Sequence, residues 1–166
     1  MFCLSKNEKM LLVIKMYYKE RLKDLREQLE IKQSDIAKFL NISNKTYSAY
    51  EIEYEIIPVK HLVLLVDYLN TSVDYLFGFS QSKNYDIYIK GIDKKLAGKR
   101  LKSFRKENKI TQTKLANELN TTFSVISGYE IGRRLIGTPF LYDICKKYHI
   151  SADYLLGKID SPKYLK

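Results

Sequence analysis

A chain of 166 residues holds one mid-sized domain or two small ones, because units near 60 residues fold alone with little core to spare. Hydrophobic residues make up 45% of it, which is ordinary for a globular protein, and the formal charge of +10 points to an acidic partner, either nucleic acid or an anionic membrane surface. Cys3 and Cys145 form no CxxC pair and have no histidine beside them, which argues against a zinc site, a disulfide framework or any other metal centre.

From the start of the chain, the apolar run Met10-Leu11-Leu12-Val13-Ile14 is too short for a membrane span and has no small-residue cleavage site. It is expected to be neither anchor nor signal peptide, and a reducing cytoplasm suits the two thiols. Leu22, Leu25 and Leu29 mark one face of a first helix. A second helix carries Ile36, Ala37 and Leu40. Asn41-Ile42-Ser43 then turns the chain, with Ser43 placed to cap a third helix. That spacing is a helix-turn-helix. Leu62, Leu65, Val66 and Leu69 define a fourth helix, and a fifth follows Ser72 and ends at Gly78. Next comes a polar breaker, Phe79 to Asn84, and an alternating stretch, Tyr85 to Lys90, that reads as a short strand before Gly91.

The pattern then repeats. Setting Arg21–Gly78 against Arg100–Gly157 aligns 58 positions without a gap at an offset of 79, and twenty are identical. Chance gives roughly three or four. In the second copy Leu101 and Phe104 mark the first helix, and Leu115, Ala116 and Leu119 the second. Asn120-Thr121-Thr122 makes the turn, with Thr122 at the cap. Phe140, Leu141, Ile144 and Tyr148 follow Thr138-Pro139 in the fourth helix, and Ser151 to Gly157 closes the unit. Ala37 and Ala116 suit a close helix crossing behind the turn.

These residues resemble the Cro and phage-repressor family, also called the xenobiotic-response-element family. The resemblance is carried by the Arg-Leu-Lys-x-x-Arg opening, the Gln-x-x-x-Ala of the second helix, the Tyr-Glu near the end of the third and the closing Ser-x-Asp-Tyr-Leu-x-Gly. It implies an all-α fold of two tandem five-helix lambda-repressor-like helix-turn-helix domains, of bacterial or phage type, with short strands left open in the linker and N-terminal extension. The expected division is an extension over 1–15, domain 1 over 16–79, a linker over 80–95, domain 2 over 96–158 and a basic tail over 159–166. The function it implies is sequence-specific binding of double-stranded DNA by a transcriptional regulator, most often a repressor and commonly a dimer, with each third helix in the major groove.

Carried over residue by residue, the resemblance puts Gln33 and Gln112 on phosphates. It puts base readers at Asn44, Lys45 and Ala49 in domain 1 and at Phe123, Ser124 and Gly128 in domain 2, with the cap residues Ser43 and Thr122 beside them. Asn44 can pair with adenine and Lys45 with guanine, whereas Phe123 offers apolar contact to a thymine methyl. The charge is one-sided: residues 1–79 hold eleven Lys and Arg against eleven Asp and Glu, and residues 80–166 hold eighteen against eight. After the third helix domain 2 has Gly132-Arg133-Arg134, where the glycine can end the helix and the arginines can meet the DNA backbone. Domain 1 has Glu53-Tyr54-Glu55 there, and two carboxylates repel phosphates. Domain 2 is therefore expected to be the principal DNA binder.

Domain 1 is left either as a weaker half-site reader, in a pseudo-dimer whose 79–99 segment could stretch to roughly 70 Å, or as a surface for self-association or a protein partner. A different class of function, an antitoxin-like or polymerase- or toxin-binding module that keeps the fold, also accommodates the neutral first copy. An enzyme finds no support: His61 and His149 lack acidic or nucleophilic partners at a meaningful spacing, and no Gly-rich phosphate loop or cofactor motif is present.

Overall fold

A computed structural model describes residues 18, 20–52 and 54–165. The chain divides into two compact units between Tyr85 and Asp86. Among the described residues the first unit has helices α1 (20–28), α2 (Gln33–Phe39), α3 (Asn44–Glu51), α4 (Val59–Tyr68) and α5 (Val73–Leu76). The second has α6 (Lys94–Glu107), α7 (Gln112–Glu118), α8 (Phe123–Glu130), α9 (Thr138–Tyr148) and α10 (Ala152–Leu155). Adding 79 to the bounds of α2 to α5 reproduces those of α7 to α10 to within one residue.

The apolar periodicity becomes two helical cores. Leu22, Leu25, Ile36, Ala37, Leu40, Leu62, Leu65, Val66 and Leu69 are buried in unit 1, and Leu101, Phe104, Leu115, Ala116, Leu119, Leu141 and Ile144 in unit 2. The helix ends follow local chemistry. Asn41 and Asn120 take left-handed φ of 55° and 50°, which turns the chain between the two helices of each motif. Ser43 Oγ accepts the Thr46 N–H at the start of α3, whereas Thr122 occupies the matching position before α8 without a side-chain cap bond. Ser72 and Ser151 cap α5 and α10 by accepting from Tyr75 and Tyr154 N–H.

The opening and closing motifs of each repeat are bonded to each other. Arg21 Nη1 donates to the carbonyls of Tyr75 and Ser80, and Arg100 Nη1 to those of Tyr154 and Ile159. Each guanidinium also lies over a tyrosine ring, at 4.4 Å for Tyr75 and 4.5 Å for Tyr154. A cation is thereby set against the carbonyl end of the last short helix.

Two expectations change. Leu29 lies beyond the last turn of α1 and is 49% exposed, so it does not join the core face. The alternation over 85–90 does not make a strand. Its tyrosines serve buried carboxylates instead: Tyr85 OH donates to Asp74 at 2.6 Å within unit 1, and Tyr88 OH to Asp153 at 3.0 Å within unit 2. Ile89 N–H donates to Lys158 O, and Lys158 Nζ donates to Gly91 O. Much of the linker therefore belongs to one unit or the other. The strand left open in the N-terminal extension lies outside the described residues. The basic tail folds back on unit 2, where Ile159 is buried and Ile150 forms an antiparallel bridge with Tyr164.

One pair of matched positions makes different contacts in the two copies. Where α2 meets the end of α4, Phe39 and Tyr68 rings lie 4.4 Å apart and both are partly exposed. At the matching place in unit 2, Lys147 Nζ and Glu118 Oε2 form an ion pair at 3.0 Å.

Candidate nucleic-acid interface

Each third helix is held by a buried lock made of three side chains from three helices. In unit 1, Arg26 of α1 donates through Nε to Glu51 Oε1 at 2.6 Å and through Nη2 to Oε2 at 3.2 Å, with Nη1 on Ile31 O. Gln33 Nε2 of α2 donates to Glu51 Oε2 at 2.7 Å. In unit 2, Arg105 meets Glu130 through Nε and Nη2 and Ile110 O through Nη1, while Gln112 Nε2 reaches Glu130 Oε2 at 2.7 Å. Glu51 and Glu130 are 3% and 5% exposed, so these carboxylates require their partners. The bond to glutamate holds both guanidinium pKa values above the usual arginine range, against the opposing effect of burial.

This geometry gives Gln33 and Gln112 a structural role beside the expected one. One N–H of each amide donates to the buried glutamate, so each glutamine helps to orient the third helix from within. The sequence contained a signal for the lock: Arg26/Arg105, Gln33/Gln112 and Glu51/Glu130 are identical in both copies, and Glu130 is the one charge in an otherwise uncharged α8.

The first turns of the third helices face solvent. Asn44 and Lys45 are exposed on α3, and Phe123 (54% exposed) and Ser124 on α8, with Ser43 and Thr122 exposed just before them. Ala49 is only 8% exposed and presents little to a ligand. Gly128 is also covered as a residue, but a Cβ built on it meets no atom within 4 Å, so space is open above its backbone.

The end of α8 carries the charge. Gly132 adopts φ of +70°, its N–H donates to Tyr129 O, and Arg133 N–H donates to Gly128 O, the paired bonds of a Schellman ending. Arg133 and Arg134 are exposed beyond it. A Cβ on Gly132 would lie 2.9 Å from Lys94 O and Lys95 Cα, so this turn sits directly on the start of α6. Lys94 and Lys95 are themselves exposed, which makes a four-cation cluster that the sequence did not reveal, because the two segments are far apart in the chain. In unit 1, Tyr54 and Glu55 N–H both donate to Ala49 O, so α3 closes with the corresponding bonds. Glu53 lies outside the described residues.

The histidines take part in no such cluster. Tyr50 OH and His61 Nδ1 are 3.0 Å apart, and burial, aided by Lys60, lowers the imidazole pKa. His149 ends α9 with a left-handed φ of 52°.

Comparison with known proteins gives a consistent result. A helix-turn-helix family profile matches residues 22–76, and a helix-turn-helix domain profile matches residues 98–161. The HTH-type transcriptional regulator ImmR of Bacillus subtilis (strain 168) is 39% identical over 66 residues, covering 40% of this chain and 52% of ImmR. The uncharacterized HTH-type transcriptional regulator YobD of the same organism is 30% identical over 87 residues, covering 52% of this chain and 70% of YobD. The chain thus spans about half the length of ImmR. No solved structure matches. No helix among the described residues is long and apolar enough to cross a membrane. With both repeats matched, and with a relative at 30% identity covered over 70% of its length, the chain belongs to the helix-turn-helix family of transcriptional regulators.

Proposed function

We propose that the protein binds double-stranded DNA sequence-specifically as a transcriptional repressor, with α3 and α8 as major-groove recognition helices and domain 2 as the principal anchor. The observation that carries this reading is the exposed cluster Lys94, Lys95, Arg133 and Arg134 beside the solvent-facing first turn of a rigidly held α8. Phosphate neutralisation supplies essentially all non-specific affinity and much of the specific part. The one-sided charge, eighteen basic against eight acidic residues after position 79, favours domain 2 for that task.

Domain 1 contributes the better hydrogen-bonding readers, Asn44 and Lys45, with weaker backbone attraction. Its exposed aromatic pair supports a further role in contacts with protein, including self-association.

The test is selection from a randomised duplex pool with the full chain, followed by binding titrations at several salt concentrations. Affinity is expected to fall with salt at a log–log slope of about −0.9 per neutralised phosphate. Arg133→Glu with Arg134→Glu should weaken binding to every duplex and flatten that slope by about two. Full affinity in this double variant refutes the anchor, and failure of the intact chain to retain any duplex at low salt refutes DNA binding.

A further inference from the structure

The outward faces of α3 and α8 coincide in position and differ in chemistry. At about 100° per residue, Phe123, Ser124, Ser127, Gly128 and Ile131 lie within one arc of about 140°. Ile126 and Glu130 fall outside that arc and are buried. Glu130, bound by Arg105 and Gln112, is the one charged residue of α8. The outward face therefore holds two hydroxyls, a bare backbone and two large apolar side chains, Phe123 at 54% and Ile131 at 57% exposure. On α3 the matching positions are Asn44, Lys45, Ser48, Ala49 and Ile52. The serine and isoleucine are retained, and the first turn changes from an amide and an ammonium to a phenyl ring and a hydroxyl.

A face without amide, guanidinium or ammonium groups cannot make the bidentate bonds by which side chains read purines. The major groove does offer one apolar feature, the C5 methyl of thymine. The cations at the end of α8 and start of α6 complement the phosphates that flank such a groove, so duplex DNA is the occupant that fits both the apolar face and its rim.

We propose that domain 2 reads thymine through its methyl group, with Phe123 packing on that methyl and the open space over Gly128 admitting the edge of a neighbouring base pair. This rests on the DNA-binding reading above and adds a division of labour. Domain 2 anchors on phosphates and selects thymine by apolar contact, and domain 1 supplies the hydrogen-bonding readers.

Single thymine-to-uracil replacements in the duplex recovered by the full chain remove one methyl and leave every hydrogen-bonding group in place. Burial of one such carbon is worth about fourfold in affinity. The wild-type chain should lose about that factor at one or two thymines. Phe123→Ser should bind the thymine duplex more weakly by a similar factor and become indifferent to uracil at that position. Phe123→Asn, which installs the residue of domain 1, should move the preference there from thymine to adenine. Because Phe123 is exposed, both variants should keep the wild-type circular dichroism and melting temperature. A uracil series without any effect on the wild type, or a Phe123→Ser variant that still distinguishes thymine from uracil, overturns the thymine assignment while leaving DNA binding intact. Absence of any retained duplex overturns both.

Discussion

Replacing Arg105 by Met removes the guanidinium from the lock of domain 2 while keeping an apolar stem of similar reach. Two N–H bonds to Glu130 and one to Ile110 O disappear. The Glu130 side chain, 1% exposed, keeps Gln112 as a donor but loses its counter-charge. Breaking a buried pair from one side costs about 3–5 kcal/mol, because the stranded charge cannot return to water. A domain of roughly 80 residues has about 4–12 kcal/mol of stability in total. The variant should therefore bring the unfolding of domain 2 to much lower urea and leave domain 1 unchanged, so that the full chain unfolds in two steps by far-ultraviolet circular dichroism. Combining Arg105→Met with Glu130→Leu removes the stranded charge and should restore at least half of the loss. If the single variant costs less than about 1 kcal/mol, or the double variant is less stable than the single, the lock is not what holds α8 in place.

Other expectations follow from the packing. A Cβ on Gly98 would lie 2.4 Å from Tyr129 O, so Gly98→Ala should push α6 off α8 and lower domain 2 stability by about 1–3 kcal/mol in urea titration. Gly128→Ala meets open space and removes a mid-helix glycine, so the same titration should show a gain of about 0.5–1 kcal/mol. Phe39→Glu with Tyr68→Lys writes the ion pair of domain 2 into domain 1; a double-mutant cycle should show the pair costing less than the sum of its single changes, and strict additivity would contradict the matched geometry. The lowered His61 pKa means that the unfolded chain binds the extra proton more readily. Its contribution is therefore full above about pH 6.5 and is lost as pH falls through that value toward the folded pKa. Melting temperatures from pH 8 to 5 should drop more for the wild type than for His61→Asn, and parallel curves would remove histidine from the account.

Much of the architecture was legible from periodicity and punctuation. Leucines at three-to-four spacing, left-handed asparagines and capping serines act locally, and the duplication showed each signal twice. Leu29 misled because periodicity cannot register that a helix has already ended one residue earlier. The Tyr85–Lys90 alternation misled because a strand requires a neighbour, whereas these tyrosines are drawn to two buried carboxylates. At the candidate interface, the exposure of Phe123, Arg133 and Arg134 was legible because residues next to a recognised helix end need no tertiary information. The bond of Gln112 to Glu130 and the approach of Lys94 and Lys95 to Gly132 could not be read there, since both exist only after the helices meet.

A chain that encodes one topology twice faces a hazard during synthesis, when a segment of one repeat can complete the other. The Arg–Glu–Gln lock offers no protection, since Arg26 would satisfy Glu130 as well as Glu51. The contact between the second and fourth helices does. An exchange of those segments would set Phe39 against Lys147 and strand Glu118 beside Tyr68, losing a ring contact and an ion pair together. That difference disfavours the exchanged pairing and favours each repeat closing on its own helices.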